Sequence, residues 1–368
     1  MRVGAYANLG ALMILAELVP FSLFQSISQI YLWLIIAGAM TVLVIGADKA
    51  VAAAARLASE LGISKIIIGA TVVSLGTTAP EVVVSVKAAL GGDSGLSLGN
   101  GMGSVICDTA LIFGLCCFIK PLPIDKFIMK RQGWFQFGSG VLLALLIAGS
   151  WLISGDINSI YVGTASGGVL ILLLMLYLCL SARWGKQHAN AIPEMDDDIP
   201  DPDHVDKSLK ATFINLFWLA IGLSMIVAGA EFLIGSVKQI CYIYQVPESV
   251  IASTVVAFGT SLPELVTALT ALKKGHSELL IGNVIGADIL NIFFVIGASA
   301  LAVPLKVDKT ILFLTLPTML IVLFMLRGFA SMNKKPIFKR WQGFALLMVY
   351  IVFSMVFGNS KQFINWVS

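Results

Sequence analysis

Charge is what this sequence has least of. Only 12% of its 368 residues are Asp, Glu, Lys or Arg, whereas 58% are hydrophobic and the mean hydropathy is +0.93. Such a chain cannot cover a water-facing globule with polar groups, so a soluble domain is excluded and an integral membrane protein is indicated. Cysteine is scarce as well. Cys107, Cys116, Cys117, Cys179 and Cys241 are odd in number and lie in or beside apolar runs. That excludes a disulfide framework and reads as small core residues. No nucleophile–base pair, phosphate-binding glycine loop or redox motif occurs, so nothing points to an enzyme, a resident cofactor, a nucleic acid or a protein partner.

What is present is long apolar runs. Stretches able to cross a bilayer of roughly 30 Å lie at about 30–56, 65–90, 96–119, 133–154, 158–182, 211–239, 248–272, 278–303, 309–330 and 337–358. The expected fold class is therefore an all-α integral membrane protein of ten transmembrane helices, five per half. It becomes eleven if the shorter run 8–24, which contains Glu17 and Pro20, also spans; an interfacial segment or a leader is the alternative for residues 1–29. Lys and Arg alternate between connections. Lys49, Arg56, Lys65, Lys120, Lys126, Lys130, Arg131, Arg183, Lys186, Lys207, Lys210, Lys273, Lys274, Arg327, Lys334, Lys335, Lys339 and Arg340 fall on one side. Only Lys87, Lys238, Lys306, Lys309 and Lys361 fall on the other. The richer side is read as cytoplasmic, in a cell inner membrane or plasma membrane.

The runs divide into a first repeat at 30–182 and a second at 211–368, joined by an acidic cytoplasmic linker at 183–210. The linker carries Glu194, Asp196, Asp197, Asp198, Asp201, Asp203 and Asp206. It reads as a solvated tether; as a cation sensor it lacks the glycine and closing glutamate of an EF-hand loop. Five spans per half is an odd number, so the second half enters the membrane from the opposite side and the repeats are expected to be inverted.

One stretch occurs twice. Gly76-Thr77-Thr78-Ala79-Pro80-Glu81 is answered, 183 residues on, by Gly259-Thr260-Ser261-Leu262-Pro263-Glu264. At the same offset Gly46-Ala47-Asp48 answers Gly229-Ala230-Glu231, Gly99-Asn100 answers Gly282-Asn283, Gly103 answers Gly286, and Asp108 answers Asn291. A glutamate at membrane depth costs roughly 2.5 kcal/mol or more, and something must offset it. Each proline removes a backbone donor and clashes with the preceding turn, so carbonyls near 74–77 and 257–260 are expected to lose helical partners. Freed carbonyls, hydroxyls and carboxylates are hard oxygen ligands suited to sodium or calcium, and the His and Cys ligands that zinc or copper would take are missing from the motifs. Ser104 and Asp108 lie one helical turn apart on a single face. The glycines four residues apart at 99 and 103, and at 282 and 286, let helices approach closely. Asp48 and Glu231 read as helix-end or inter-helix hydrogen-bonding groups. Asp288 answers an aliphatic residue, Val105, so symmetry does not support it as a primary ligand. Together these features describe a transporter with an ion site between two related halves.

At these residues the chain resembles the cation/calcium antiporter superfamily, in particular its sodium/calcium exchanger branch and prokaryotic members. The resemblance implies a secondary antiporter exchanging calcium for sodium by alternating access, with calcium, sodium and the bilayer as its partners. It implicates Thr77, Thr78 and Glu81 with Ser104 and Asp108, and Thr260, Ser261 and Glu264 with Asn291. The backbone carbonyls of Ser74 and Ala257 are expected to join them. Three departures from the family pattern stand out. Asp108 and Asn291 exchange the usual places of Asn and Asp. Ala287 replaces a common serine. Thr78-Ala79 replaces the more usual Ser-Leu, and Asp288 replaces a frequent Asn. A proton-coupled or potassium-dependent divalent-cation antiporter on the same scaffold, and a cation channel, are the alternatives.

Overall fold

The computed structural model describes residues 21–189, 209–244, 259–332 and 336–358, and these are almost entirely helical. After one turn at Ser22–Gln25, α1 runs over Gln29–Leu61 and stops at Gly62, which takes the left-handed conformation (φ +60°) that a C-terminal cap favours. Lys65–Thr77 (α2) and Ala79–Leu90 (α3) follow, then Ser94–Ile119 (α4), Lys126–Ser154 (α5) and Thr164–Ala189 (α6). The second half holds Leu209–Ile243 (α7), Leu262–Lys273 (α8), Ser277–Ala302 (α9), Ile311–Met332 (α10) and Arg340–Gly358 (α11).

Among the described residues, eight helices are long and apolar enough to cross a membrane, and the pair α2–α3, bent by 45° at Thr78, makes a ninth. Nine of the ten expected runs are thereby found. The run at 248–272 is described only from residue 259 onward, where it contains α8. Most of 8–24 and of the acidic linker lies outside the described residues. The linker's first seven residues and its last two are helical, because α6 continues to Ala189 and α7 starts at Leu209.

One boundary differs from hydropathy for a physical reason. α5 begins at Lys126 rather than 133, capped by Asp125, which accepts from the amides of Phe127 (2.9 Å) and Ile128 (3.0 Å). Its first turns contain Lys130 and Arg131, and the Arg131 guanidinium lies 3.6 Å from the ring centroid of Phe127. Charged heads reaching the interface from apolar stems let a helix outlast its hydrophobic stretch.

Burial ranks the helices. In α9, 94% of the apolar window is buried, against 17% in α11, so α9 is the axis of the bundle and α11 a lipid-facing wall. α9 reaches the axis because glycines allow backbone to meet backbone. A Cβ on Gly286 would stand 2.5 Å from both Cα and O of Ala70, and one on Gly282 would strike the carbonyl of Ile66. Gly69 on α2 closes the same seam against Asn283. The equivalent glycines of the first half differ: among the described residues Gly99 and Gly103 have no such backbone neighbour. α1 and α7 pack along each other at Gly46, Gly222 and Gly229. At 33 and 35 residues they are roughly 50 Å long, more than the hydrocarbon thickness, so they tilt within it or extend beyond it.

Two short antiparallel ladders tie the halves together. Leu122–Pro123 (β1) pairs with Ile337–Phe338 (β4), and Tyr161–Val162 (β2) pairs with Leu305–Lys306 (β3). Leu122 and Leu305, 183 residues apart, each open the strand that follows a buried helix. Where α1 meets the α8–α9 connection, Asp48 forms a 2.8 Å ion pair with Lys274. That gives Asp48 an inter-segment role of the kind expected.

Candidate cation site

The site is built where the span α2–α3 breaks and where α8 begins. Pro80 has no N–H to give the preceding turn, so the helix stops at Thr77 and restarts at Ala79, with Glu81 in the first turn of α3. In the second motif Pro263 and Glu264 likewise stand in the first turn of a helix, α8. A carboxylate in a first helical turn faces the unpaired amides and positive end of the helix dipole, which offsets part of its burial cost. Ser74 departs from expectation in one respect. Its carbonyl is not left bare, accepting from the Thr78 amide (2.8 Å) and from Thr77 Oγ1 (3.3 Å).

Helices α4 and α9 supply the facing walls, and both widen into π-helical turns at the site, over Cys107–Phe113 and Asn291–Ile296. Such turns bring side chains out of α-helical register and collect at functional sites. The two turns stand at nearly the same offset as the proline motifs, and they carry Asp108 and Asn291.

The side chains interlock across the halves. Thr78 Oγ1 donates to Glu264 Oε1 (3.4 Å), Thr260 Oγ1 to Asn100 Oδ1 (3.3 Å) and Asn291 Nδ2 to Asp108 Oδ2 (3.2 Å). Ser261 Oγ lies 3.5 Å from Ser104 Oγ. Asn100 in turn donates to the backbone carbonyl of Glu81 (3.3 Å) and to Ser85 Oγ (2.9 Å), fixing the turn that carries the glutamate. The structure thus brings together Thr77, Thr78, Glu81, Ser104, Asp108, Thr260, Ser261, Glu264 and Asn291, while Ser74 is buried one turn earlier on α2, against Gly286. Ala257 lies outside the described residues.

Glu81 and Asp108 are fully buried and Glu264 is 1% exposed. Among the described residues, both carboxylate oxygens of Glu81, Oε2 of Glu264, Oδ1 of Asp108 and Oδ1 of Asn291 are buried without a hydrogen-bond partner. Glu81 feels the charges of both Glu264 and Asp108, and the single ion pair given above lies elsewhere. Buried like charges without a counter-ion are among the costliest arrangements in a protein. Among the described residues no three His, Cys, Asp or Glu side chains close on an ion by themselves. An oxygen shell here must therefore draw on hydroxyls, amides and carbonyls, as hard cations accept.

Four participants carried no assigned role in the sequence reading. Asn100 was visible as half of a repeated Gly-Asn pair, though its role as the brace of Glu81 was not. Asp288 was set aside because its counterpart is aliphatic. Here it is fully buried and accepts from Thr109 Oγ1 and from Gln136 Nε2 (2.5 Å). Thr109 and Gln136 lie outside both repeated motifs and offered no signal.

A bundle of apolar helices that buries two first-turn glutamates, one of them at a broken span, among facing hydroxyls defines a multi-pass membrane transporter for hard cations. The sequence pattern of the sodium/calcium exchanger protein family matches residues 31–183 and 214–358, and the chain belongs to that family, which comprises transporters rather than enzymes. It is 31% identical over 343 residues to the sodium/calcium exchanger MaX1 of Methanosarcina acetivorans, covering 88% of this chain and 97% of the relative. The inner membrane protein YrbG of Escherichia coli is 32% identical over 75% of this chain and 81% of its own. A solved structure of the sodium-calcium exchanger NCX_Mj, soaked with 10 mM Na+ and no Ca2+, superposes with a TM-score of 0.73 at 28% identity, covering 88% of this chain and 98% of that one. Cation/calcium antiport in an inner or plasma membrane follows from this membership.

Proposed function

We propose that the chain exchanges calcium for sodium by alternating access between two inverted repeats of five spans each. The single observation carrying this reading is the pair of buried glutamates with unpartnered oxygens, one at each proline motif. Calcium bridges Glu81 and Glu264, with Thr77, Thr78, Ser104, Thr260 and Ser261 completing the shell and Asp108 and Asn291 beside it. Sodium ions take overlapping positions on the same glutamates, so the two loads exclude one another. An empty site leaves several buried negative charges uncompensated and resists reorientation, and this resistance couples the fluxes.

Ten spans result when α8 and the residues before it are counted as the counterpart of α2–α3. The matched proline motifs, the matched π-helical turns and the reciprocal pairing of β1 with β4 and β3 with β2 support the repeat. Five spans per half then invert it. The paired long helices α1 and α7 are the element that slides.

Competition binding on the detergent-purified protein tests the reading. Calcium-45 bound at equilibrium is expected to fall as sodium chloride replaces choline chloride at constant ionic strength, with a Hill slope above one. Calcium binding indifferent to sodium but responsive to pH would instead support proton coupling.

A further inference from the structure

One cation is fixed within a span without a counter-ion. Arg327 is half-buried and lies five residues before the last residue of α10, roughly 8 Å in from that end. Its head is held in place. Nη1 donates to the backbone carbonyl of Met129 on α5 (2.9 Å), and the guanidinium carbon lies 4.4 Å from the ring centroid of Trp134. No carboxylate among the described residues pairs with it; the ion pair between Asp48 and Lys274 joins other segments. A guanidinium held in one orientation presents its remaining donors as a rigid fork, which suits a phosphate or carboxylate.

The groove between α5 and α10 is polarised around this group. Towards the basic end, Lys126, Lys130 and Trp134 recur every four residues along α5 and all are exposed, so they share one outer face. Away from that end, Trp134 meets Phe137 edge to face (6.0 Å), and Phe137 lies against the exposed Phe324 of α10 (6.5 Å). Cations thus stand at one end of a strip of rings. The repeat does not impose this arrangement, because the counterparts of Arg327, Trp134 and Lys130 at the 183-residue offset are Ala144, Pro317 and Phe313.

We propose that this groove binds an anionic phospholipid, its headgroup phosphate taken by Arg327 and Lys130 and an acyl chain running over Trp134, Phe137 and Phe324. Basic pockets between spans take anionic headgroups, and exposed tryptophan belongs at the depth where headgroup and chain meet. Free phosphate would use the cations and leave the strip of rings uncovered. A zwitterionic lipid would use the rings but brings its own cation beside the phosphate. An amphiphile with a net negative head matches both ends, and it would tie α5 to α10.

The test is non-denaturing mass spectrometry of the full-length purified protein equilibrated with dioleoylphosphatidylglycerol or dioleoylphosphatidylcholine, with melting temperature confirming that each variant is folded. The native chain is expected to prefer phosphatidylglycerol by about tenfold or more, the worth of a charge-assisted hydrogen bond, and to keep it against inorganic phosphate. Arg327→Gln is expected to lose the preference and Lys130→Gln to weaken it. Arg183→Gln, on the same basic side but on α6, is expected to keep it. Equal retention of the two lipids by the native chain overturns the proposal, and displacement by inorganic phosphate would make this a free-anion site instead. A folded Arg327→Gln that keeps the preference, or an Arg183→Gln that loses as much, also overturns it. Should Arg327→Gln fail to fold, the comparison of Lys130→Gln with Arg183→Gln decides, and equal behaviour of those two overturns the proposal.

Discussion

Replacing Glu264 by glutamine is expected to reduce sodium-driven calcium uptake by about a thousandfold or more. Glutamine keeps the volume and shape of the side chain, and its Oε1 can still accept from Thr78 Oγ1, so the cross-half contact survives. What is lost is one unit of charge, with an amide donor placed where an unpartnered carboxylate oxygen stood. At an effective dielectric of about 20, a unit charge at 4 Å contributes about 4 kcal/mol, which is roughly a thousandfold in affinity. Glu81→Gln removes the less satisfied carboxylate of the two, since neither of its oxygens has a partner among the described residues, and is expected to do at least as much. The check is calcium-45 uptake by reconstituted variants at matched protein density, with melting temperature confirming that each is folded. Uptake within tenfold of native in folded Glu264→Gln would remove the glutamate from the transport site.

The second large effect is structural. Gly282→Ala is expected to lower the melting temperature by several degrees and to abolish transport with it. The added methyl would meet the Ile66 carbonyl, which is helix backbone and cannot swing aside. Overpacking of this kind costs about 1–3 kcal/mol even where side chains can adjust, and here α2 and α9 must separate. Because α2 ends at Thr77 and α9 carries Asn291, separation also opens the site. Gly138→Ala on α5 is the control. A Cβ there has nothing within 4 Å, and alanine favours the helix over glycine by about 1 kcal/mol, so its melting temperature should hold or rise. Thermal unfolding in detergent distinguishes the two, and equal behaviour would mean that the seam between α2 and α9 is not close-packed.

Much of this was legible in the sequence because membranes simplify the problem. Hydropathy must mark each span when no water is available to satisfy backbone groups, and so nine runs reappear as helices. The duplicated Pro-Glu marked the starts of both α3 and α8, since a proline's missing donor and a buried carboxylate each need compensation wherever they occur. The helix-widening at Cys107 and Asn291 left no trace, because π-helical turns depend on what packs against them. The first turns of α5 were missed because Lys130 and Arg131 lower the hydropathy of a segment that ring stacking keeps helical. Asp288 was discounted on symmetry, which is a sound guide only where both halves carry equal roles. Its partners come from a neighbouring helix and from a threonine without a counterpart in the motif. Contacts between α4, α5 and α9 are set by the tertiary fold and not by spacing along the chain.

The central claim is that sodium drives calcium across the membrane through the paired glutamates. Calcium-45 accumulation in proteoliposomes of the native chain, loaded with sodium, with potassium, or with a pH gradient alone, addresses it most directly. Uptake is expected with internal sodium and external choline, collapsing when sodium is equal on both sides, and none is expected from the pH gradient. Uptake that follows the proton gradient and ignores sodium, or no calcium flux under any gradient, would contradict it.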